Sequence, residues 1–362
     1  MAITKIPAAG FTGNNFKNII INGDMSIAQR GTSATGITGS GFNTVDRFST
    51  NILNMGTFTE TQSTDVPSGQ GFATSLKLDC TTADASPAAG DNIQWRQKVE
   101  GKNLQYLKFG TANAESLTLS FWVKSSKTGT YIVQLRHHDA SPTILISKSY
   151  TISSANTWEK KTLTFPGYTT TAFDNDNNAS LFINWWLGAG TNFTSGTLNT
   201  SWSTNVDADS AVGQVNLADS TANEWYITGV QLEAGTTASD FEFLPYDVNL
   251  RRCYRYYYVH ATGSEEDIGI GGYYNGSHLF VNISFLVPMR SAPSADETIG
   301  TNYYSLVRNG GSDNFNEFKG GGSASKHEIN IYNNTEASGT AGQVGYARTI
   351  NASASLAFDS EL

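Results

Sequence analysis

The sequence predicts an all-β protein: an N-terminal jelly-roll β-sandwich, a short helical connector and a smaller C-terminal β-sandwich domain. Short segments in which apolar and polar residues alternate recur along its 362 residues, separated by clusters of Gly, Asn, Ser and Thr. Aromatic residues, which favour strands, make up 12% of the chain, and charged residues make up only 15%. Many short strands with frequent turns are typical of sandwiches and jelly rolls.

Ten segments between residues 18 and 246 predict the strands of the jelly roll, and residues 1–17 predict a docking arm that precedes it. The clearest strand is LTLSFWVK at 117–124, where every second residue is apolar. Residues 32–43 are rich in Ser, Thr and Gly and predict a loop. The predicted strands are 18–22, 55–61, 74–78, 92–99, 117–124, 131–137, 145–151, 160–165, 180–187 and 225–232.

The connector, residues 247–258, predicts a short helix. Asp247 is a good N-cap residue, and four apolar or aromatic residues follow it at helical spacing. These residues are Leu250, Cys253, Tyr254 and Tyr257.

Residues 259–362 predict the second β domain. Segments 268–274 and 277–286 flank Asn275-Gly276, a dipeptide that strongly favours a two-residue hairpin turn. The three glycines at 320–322 predict a long exposed loop. Further strands are expected at 302–308, 328–331, 345–350 and 354–358.

The charge balance argues against two classes of partner. With a net charge of −9 and scattered basic residues, the chain lacks a phosphate-binding surface, so we expect no nucleic-acid partner. Its densest basic group is Arg251, Arg252 and Arg255 in the connector. Nowhere do 18 apolar residues run together, so we expect no membrane insertion. Cys80 and Cys253 are expected to be buried free thiols.

The motifs of enzyme chemistry are missing from the sequence, so we expect no catalytic activity and no cofactor. His137 and His138 are adjacent on a predicted strand, and they therefore point to opposite faces. The acidic pairs at 207/209 and 265–267 supply the two carboxyls that a glycosidase needs, but they lie in polar loops. Solvated acidic loops are the interpretation that we prefer.

Aromatic residues supply candidates for carbohydrate binding. Trp185 and Trp186 are adjacent in one strand, so one ring is expected in the core and the other is expected to be exposed or covered by a loop. The polar loops 174–178 and 191–206 could carry a binding surface. The alternative is that the rings fill a core or a subunit interface. The remaining candidates are Trp202, Tyr273, Tyr274, Tyr303 and Tyr304.

Several motifs resemble tail-fibre and receptor-binding proteins of tailed bacteriophages, of the marine podovirus kind. They are NIIINGDMSIAQRG at 18–31, VDRF at 45–48, WYITGVQLEAG at 225–235, FEFLPYDVNLRRCYRYYY at 241–258 and the C-terminal segment 340–362. Leu244 stands where the family pattern often has Arg. The order and spacing of the motifs extend over nearly the whole chain from Asn18 onward.

The resemblance implies a virion appendage with domains like carbohydrate-binding modules. We expect a homotrimer that docks to other virion proteins through its N-terminal arm and adheres to a host-surface glycan. The tail is the favoured location. A capsid fibre or decoration protein remains an alternative, and a carbohydrate-active enzyme or its binding module is the alternative from another class.

Two structural hypotheses accompany the resemblance. Jelly rolls that bind carbohydrate often hold a structural Ca²⁺ through oxygen ligands, and the candidates in this chain are Asp24, Asp46 and Glu233. The second hypothesis concerns the stripe of apolar residues in the connector helix, which is too short to be stable alone. Three copies of the stripe packed around a trimer axis would cover it, and the sheet of the first domain is the alternative cover.

Overall fold

A computed structural model describes residues 16–362, except for the side chains of residues 320–322. Strands make up 44% of the chain and helices 7%, which confirms the all-β prediction. The chain divides into two compact units, Met1–Pro245 and Tyr246–Leu362. The predicted docking arm lies outside the described residues apart from Phe16 and Lys17. No described helix has the length and hydropathy needed to span a bilayer.

The first unit is a sandwich of two antiparallel six-stranded sheets. Sheet I has the strand order β1-β3-β4-β12-β6-β9, and sheet II has the order β11-β8-β7-β10-β5-β2. A four-residue helix, α1 (Thr191–Thr194), follows β10. The strands are β1 (Ser33–Ile37), β2 (Phe48–Leu53), β3 (Thr57–Ser63), β4 (Ser75–Thr82), β5 (Asn92–Glu100), β6 (Leu117–Ser125), β7 (Gly129–His137), β8 (Ile144–Ile152), β9 (Glu159–Phe165), β10 (Ala179–Ala189), β11 (Ser203–Thr204) and β12 (Glu224–Ala234).

The core of the first unit is a cluster of large aromatic rings between the two sheets. The Trp95 ring on β5 stacks on Phe48 at 4.1 Å and contacts Trp185 at 5.4 Å. It also meets Trp225, on β12 of sheet I, at 5.7 Å. Burying rings of this size supplies much of the hydrophobic free energy that holds two sheets together.

Residues 18–22 are not a strand, which corrects the sequence prediction. The segment is buried, and although the Ile19 amide donates to Leu232 O on β12 at 2.8 Å, the next two amides bond to side chains. The amide of Ile20 donates to Asn18 Oδ1 at 3.0 Å, and that of Ile21 donates to Gln97 Oε1 at 2.9 Å. A continuous β-branched run predicts a strand only when a strand partner is available. Three strands of the first unit were also missed: β1 within the predicted loop 32–43, most of β2, and β11 within the predicted loop 191–206.

A carboxylate near the end of the first unit binds the start of the described chain. Glu242 Oε1 accepts hydrogen bonds from the backbone amides of Phe16 at 3.0 Å and Lys17 at 3.2 Å. Its Oε2 accepts one from the amide of Asn18 at 2.9 Å. Residues 16–18 are therefore attached to the segment that leaves the sandwich.

The second unit consists of helix α2 (Tyr246–Tyr254) and two sheets. The three-stranded sheet has the order β13-β22-β16, and the seven-stranded sheet has the order β18-β17-β21-β14-β15-β20-β19. Its strands are β13 (Tyr257–Thr262), β14 (Asp267–Asn275), β15 (His278–Ser284), β16 (Ser294–Glu297), β17 (Tyr304–Arg308), β18 (Gly311–Phe315), β19 (Lys319–Ala324), β20 (Glu328–Asn333), β21 (Val344–Thr349) and β22 (Ser355–Asp359).

The second unit confirms the predicted hairpin and corrects three local details. β14 pairs with β15, but Asn275 lies opposite His278, so the turn residues are Gly276 and Ser277 and not Asn275 and Gly276. Helix α2 ends at Tyr254, so Tyr257 belongs to β13 and not to the helix. Residues 320–322 lie within β19, an edge strand that pairs with β20, and not in a loop.

Glu60, on β3, is a fully buried carboxyl group in the first unit. Its Oε1 accepts a hydrogen bond from the Thr44 hydroxyl, and no described basic side chain forms an ion pair with it. Burial raises the pKa of Glu60 to about 7, although the Thr44 bond acts in the opposite direction. The folded protein therefore holds a proton that the unfolded chain releases at much lower pH.

We predict that the first unit loses stability as the pH rises from 4.5 to 8. Because the pKa of Glu60 is raised on folding, the stabilisation is complete below about pH 4.5 and is lost through pH 7, a change of about 3 kcal/mol. In Glu60→Gln this part of the pH dependence should disappear. All seven tryptophans lie between residues 95 and 225, so tryptophan fluorescence during urea unfolding reports on this unit alone.

Glu115→Gln is the control, because Glu115 is an exposed partner of Lys108 in the same unit. It should keep the pH dependence of the wild type. Equal slopes for wild type and Glu60→Gln would contradict the assignment.

Candidate functional site

Three strands of sheet II present polar and aromatic side chains on the face away from the core. On β10, Ile183 and Trp185 are buried between the sheets, whereas Phe182, Asn184 and Trp186 take the alternate positions. Residues two apart on a strand share a face, so these three form one row. By the same alternation, the outer face of sheet II also carries Gln94 and Arg96 on β5 and Gln134 and Arg136 on β7.

The register of the strands brings these side chains together. Asn184 lies directly opposite Arg96 on β5 and opposite Gln134 on β7. In the same way, Trp186 pairs with Gln94 and Phe182 pairs with Arg136. Facing residues on neighbouring strands have Cβ atoms about 4.5–5.5 Å apart, so amide, guanidinium and aromatic groups alternate across a continuous surface.

The segment of residues 190–211 forms a wall beside this surface. Phe193, in α1, packs on Trp186 with ring centroids 5.3 Å apart. The segment is attached to β8, because the Ser147 amide donates to Asn199 O at 2.7 Å and the Ser147 hydroxyl donates to Ser210 O at 3.1 Å. β11 pairs with β8 as well. This wall covers one part of sheet II and leaves the rest open.

The result is a groove of about 150 Å³. Its floor is formed by β2, β5, β7 and β10, and its wall by the 190–211 segment. The lining residues are Asn51, Asn92, Gln94, Arg96, Gln134, Arg136, Phe182, Asn184, Trp186, Phe193, Asn205, Asp207 and Ser210. A pocket with aromatic surfaces and convergent polar groups is the usual form of a small-molecule site.

Several buried polar atoms in the groove have no hydrogen-bond partner among the described residues. The most informative is Asn184 Oδ1, because Asn184 is only 2% exposed. Trp186 Nε1 and the Nε atoms of Arg96 and Arg136 are also without a partner. A buried polar group without a partner costs roughly 1–3 kcal/mol. The indole nitrogens of Trp95 and Trp185 also lack a hydrogen-bond partner, but they lie between the sheets and not in the groove.

The two guanidiniums of the groove are close enough to affect each other. Burial, and after it the positive charge of Arg136, lowers the pKa of Arg96. Nη2 of Arg96 donates to Asn51 Oδ1 at 2.9 Å. Within residues 16–362, neither arginine forms an ion pair with a carboxylate.

The three tryptophan candidates have three different environments. Trp185 is fully buried in the core, and Trp186 lies on the opposite face beneath Phe193. Trp202 is half-buried, donates from Nε1 to Pro166 O at 2.7 Å and contacts the edge of the Phe109 ring at 6.0 Å. Of these rings, only Trp186 lines the groove.

The four tyrosine candidates lie in the second unit and do not form one surface. Tyr273 is buried and donates from its hydroxyl to Asp313 Oδ2 at 2.6 Å. Tyr304 is fully buried, and its hydroxyl bonds to Ser355 O at 2.8 Å. Tyr303 is half-buried, and Tyr274 is 75% exposed. Burial leaves Tyr273 and Tyr304 no free ring face for a sugar.

Each of the three calcium candidates accepts a hydrogen bond from a different neighbouring residue. The carboxylate of Asp24 accepts from Ser26 Oγ at 3.0 Å, that of Asp46 from the Gln29 amide at 2.8 Å and that of Glu233 from the Ser239 amide at 2.9 Å. Burial raises the pKa of Asp46, against the effect of its Gln29 bonds. In the described part of the chain, no three His, Cys, Asp or Glu side chains are grouped so that they could hold a metal ion.

The trimer-axis candidates are only partly accessible. Cys253 and Tyr257 are buried, and the hydroxyl of Tyr257 donates to Asp296 Oδ2 at 2.9 Å. Leu250 and Tyr254 are half-buried. The stripe predicted for a single helix is therefore divided between α2 and β13. Both thiols, Cys80 and Cys253, are free and buried, as predicted.

The histidine pair occupies opposite faces, as the alternation predicts. His137 is buried, its Nε2 lies 3.1 Å from Thr171 O, and burial lowers its pKa. His138 stacks on Phe182 at 5.0 Å. Of the two polar loops proposed as a binding surface, 191–206 contributes Phe193 and Asn205 to the groove, whereas 174–178 contributes nothing.

Comparison with known proteins gives distant structural similarity only. No protein-family model matches the chain, and no curated protein matches it. Among solved structures, the enzymatically active domain of tailspike protein 4 from bacteriophage CBA120 is similar, with 16% identity and a TM-score of 0.33 over 60% of this chain. The matched part is 22% of that domain, so this chain spans about a fifth of its length.

Carbohydrate-binding modules are also similar. TmCBM61, solved with β-1,4-galactotriose, shares 8% identity with a TM-score of 0.29, covering 60% of this chain and 98% of the module. The C-terminal family 22 module of Clostridium thermocellum Xyn10B shares 11% identity with a TM-score of 0.28, covering 59% and 100%. At these scores the similarity carries no functional argument.

We predict that Asn184→Leu does not destabilise the free protein. The variant removes a buried acceptor that has no partner and loses only one long hydrogen bond, from Asn184 Nδ2 to Gln134 Oε1 at 3.4 Å, so its free energy of unfolding should stay within about 1 kcal/mol of the wild type. Tryptophan fluorescence in urea measures this.

The matched control is Asn18→Leu, because Asn18 is also buried but both ends of its side-chain amide form hydrogen bonds. Its Oδ1 accepts from the amides of Ile20 and Leu232, and its Nδ2 donates to Val230 O. Loss of these bonds should cost about 2–4 kcal/mol. An equal loss in both variants would show that Asn184 is structural.

Proposed function

We propose that this chain is a virion protein of a tailed phage, a tail fibre or receptor-binding protein, that adheres to a host-surface glycan through the groove on sheet II. The observation that carries the glycan part is the unused acceptor Asn184 Oδ1 at the centre of a groove lined by amides, guanidiniums and aromatic rings. The virion part rests on the sequence motifs at 18–31, 45–48 and 225–258.

The groove has the two kinds of group that a sugar ring requires. Sugar hydroxyls both donate and accept hydrogen bonds, and side-chain amides such as Gln94, Gln134 and Asn184 offer both kinds of partner. The apolar face of a sugar packs on an aromatic ring, and the half-buried ring of Phe193 lines the same groove as Asn184. A ligand bound here would satisfy polar atoms that the protein leaves without partners.

Binding without hydrolysis is the form of the proposal that the groove supports. Both mechanisms of glycoside hydrolysis use a pair of carboxyl groups on either side of the scissile bond. Asp207 is the one carboxylate among the described residues that line the groove. It is exposed and accepts a hydrogen bond from Asn205 Nδ2 at 2.9 Å.

A virion appendage would strengthen weak binding through several copies. A small open groove suits modest affinity at each site, and linked sites then act together, so that avidity replaces affinity. A homotrimer with docking through the N-terminal arm belongs to the same proposal. The capsid remains the alternative location on the virion.

For the glycan site, we predict that Asn184→Leu weakens binding about tenfold, because one hydrogen bond to a buried group is worth roughly 1–1.5 kcal/mol. The test uses the full chain on a glycan array, followed by calorimetry with each glycan that binds. The release of reducing sugar is assayed on the same glycans. Asn43→Leu, which changes an amide outside the groove, is the control. Unchanged binding by Asn184→Leu would exclude the groove, and released sugar would exclude binding without hydrolysis.

For the virion placement, we expect antibody-labelled particles to carry this chain at the tail in electron microscopy. Light scattering of the purified chain should give three times the mass of one 39.0 kDa chain. Label on the head would favour the decoration alternative, and a monomer would contradict the trimer.

A further inference from the structure

The groove contains two positive charges that the protein itself does not neutralise. Arg96 and Arg136 lie on β5 and β7, one on each side of β10, and both line the groove. Their Nε atoms are buried and unpartnered, and the pKa of Arg96 is lowered partly by Arg136. Two like charges that are partly removed from water repel each other, and this repulsion destabilises the protein when the groove is empty.

Elsewhere in the described chain, ion pairs between lysines and carboxylates are common. The described lysines at 77, 108, 124, 127, 161 and 319 all bond to a carboxylate. The protein has a net charge of −9, so carboxylates are abundant. The guanidinium of Arg136, in contrast, makes no hydrogen bond to another described residue, and that of Arg96 bonds to the neutral amide of Asn51.

The one acidic residue of the groove does not balance this pair. Asp207 is exposed and bonded to Asn205, and it is not among the charges that influence Arg96. Lys98, which lies on the same face of β5 as Arg96, places its Nζ 5.3 Å from the centre of the Phe182 ring.

We propose that the ligand of the groove is an acidic saccharide whose carboxylate is bound between Arg96 and Arg136, an inference that rests on the proposed glycan site. A guanidinium offers a planar set of donors that matches a carboxylate in bidentate geometry. Phe193, which lines the same groove, supplies an aromatic ring for the sugar, and Asn184, opposite Arg96, supplies the neutral hydrogen bonds. The substrate class is thus a uronic-acid or similar carboxylate-bearing glycan.

The test compares acidic oligosaccharides with their carboxyl-reduced counterparts, which keep the ring and lose the charge. The full chain is titrated with each member of a pair by calorimetry. We expect the acidic member to bind at least tenfold more tightly, and its affinity alone to fall as NaCl is raised. Free acetate at equal concentration should not compete, because it lacks the ring.

The arginine variants assign the charge preference to residues. Arg96→Gln and Arg136→Gln should each weaken binding of the acidic member by ~10- to 100-fold and change binding of the neutral member little. Arg136→Lys, which keeps the charge but not the planar fork, should recover part of the loss. Lys102→Gln removes one positive charge from an exposed position outside the groove and should bind like the wild type. Melting temperatures show that each variant is folded.

Each outcome decides between the two proposals. If neutral counterparts bind as tightly as acidic ones, the glycan site stands and the charge inference is wrong. If no saccharide on the array binds, both are wrong. If acetate competes as well as the oligosaccharide, the groove is an anion site and not a saccharide site. If Lys102→Gln weakens binding of the acidic member as much as Arg136→Gln does, the preference for acidic saccharides comes from net charge and not from the groove.

Discussion

The contact of Trp95 and Trp185 between the sheets determines what the other face of sheet II can be. Each ring fills the core at one position of its strand, so the neighbouring positions are directed to the opposite face. Shifting either strand by one residue would move a tryptophan out of the core and an arginine or asparagine into it. The cost of that exchange fixes the register, and the register in turn places Arg96 opposite Asn184. The hydrophobic core therefore positions a polar surface that it never touches.

The groove destabilises the ligand-free protein, whereas the core stabilises it. Between the sheets, apolar rings pack closely, and their burial stabilises the fold. On the outer face, a buried amide oxygen lacks a donor, and two guanidiniums line one groove without a carboxylate bonded to either. Local departures from good packing and pairing are expected where a protein binds something. The strength of the aromatic core allows the sandwich to tolerate such a surface.

Much of the fold could be predicted from the sequence, because period-two alternation is a local property. The segment at 117–124 is observed as β6 with nearly the predicted bounds. Residues 18–22 show the limit of the method. Their apolar run is typical of a strand, but the amides of Ile20 and Ile21 bond to side chains, one of them that of Gln97, far along the chain. A local pattern cannot reveal a distant partner of this kind.

The candidate site was mostly missed, for a related reason. The alternation in NIQWRQ at 92–97 and in FINWWL at 182–187 is visible in the sequence, and it marks the polar positions of both strands. What the sequence does not show is that β5 and β7 both pair with β10, which brings Arg96 and Arg136 to the same groove. The search for aromatic rings found Trp186, but the amides and guanidiniums around it carry more of the chemistry.

The bond between Glu242 and the amides of residues 16–18 has a consequence for how such a sandwich can be used. It brings the entry and the exit of the first unit to one place on its surface. A domain whose two ends meet can be inserted into, or exchanged between, longer chains without rearranging what lies on either side. The whole sandwich, with its groove, is thus suited to transfer as a single cassette, so that a new binding preference could be acquired in one step.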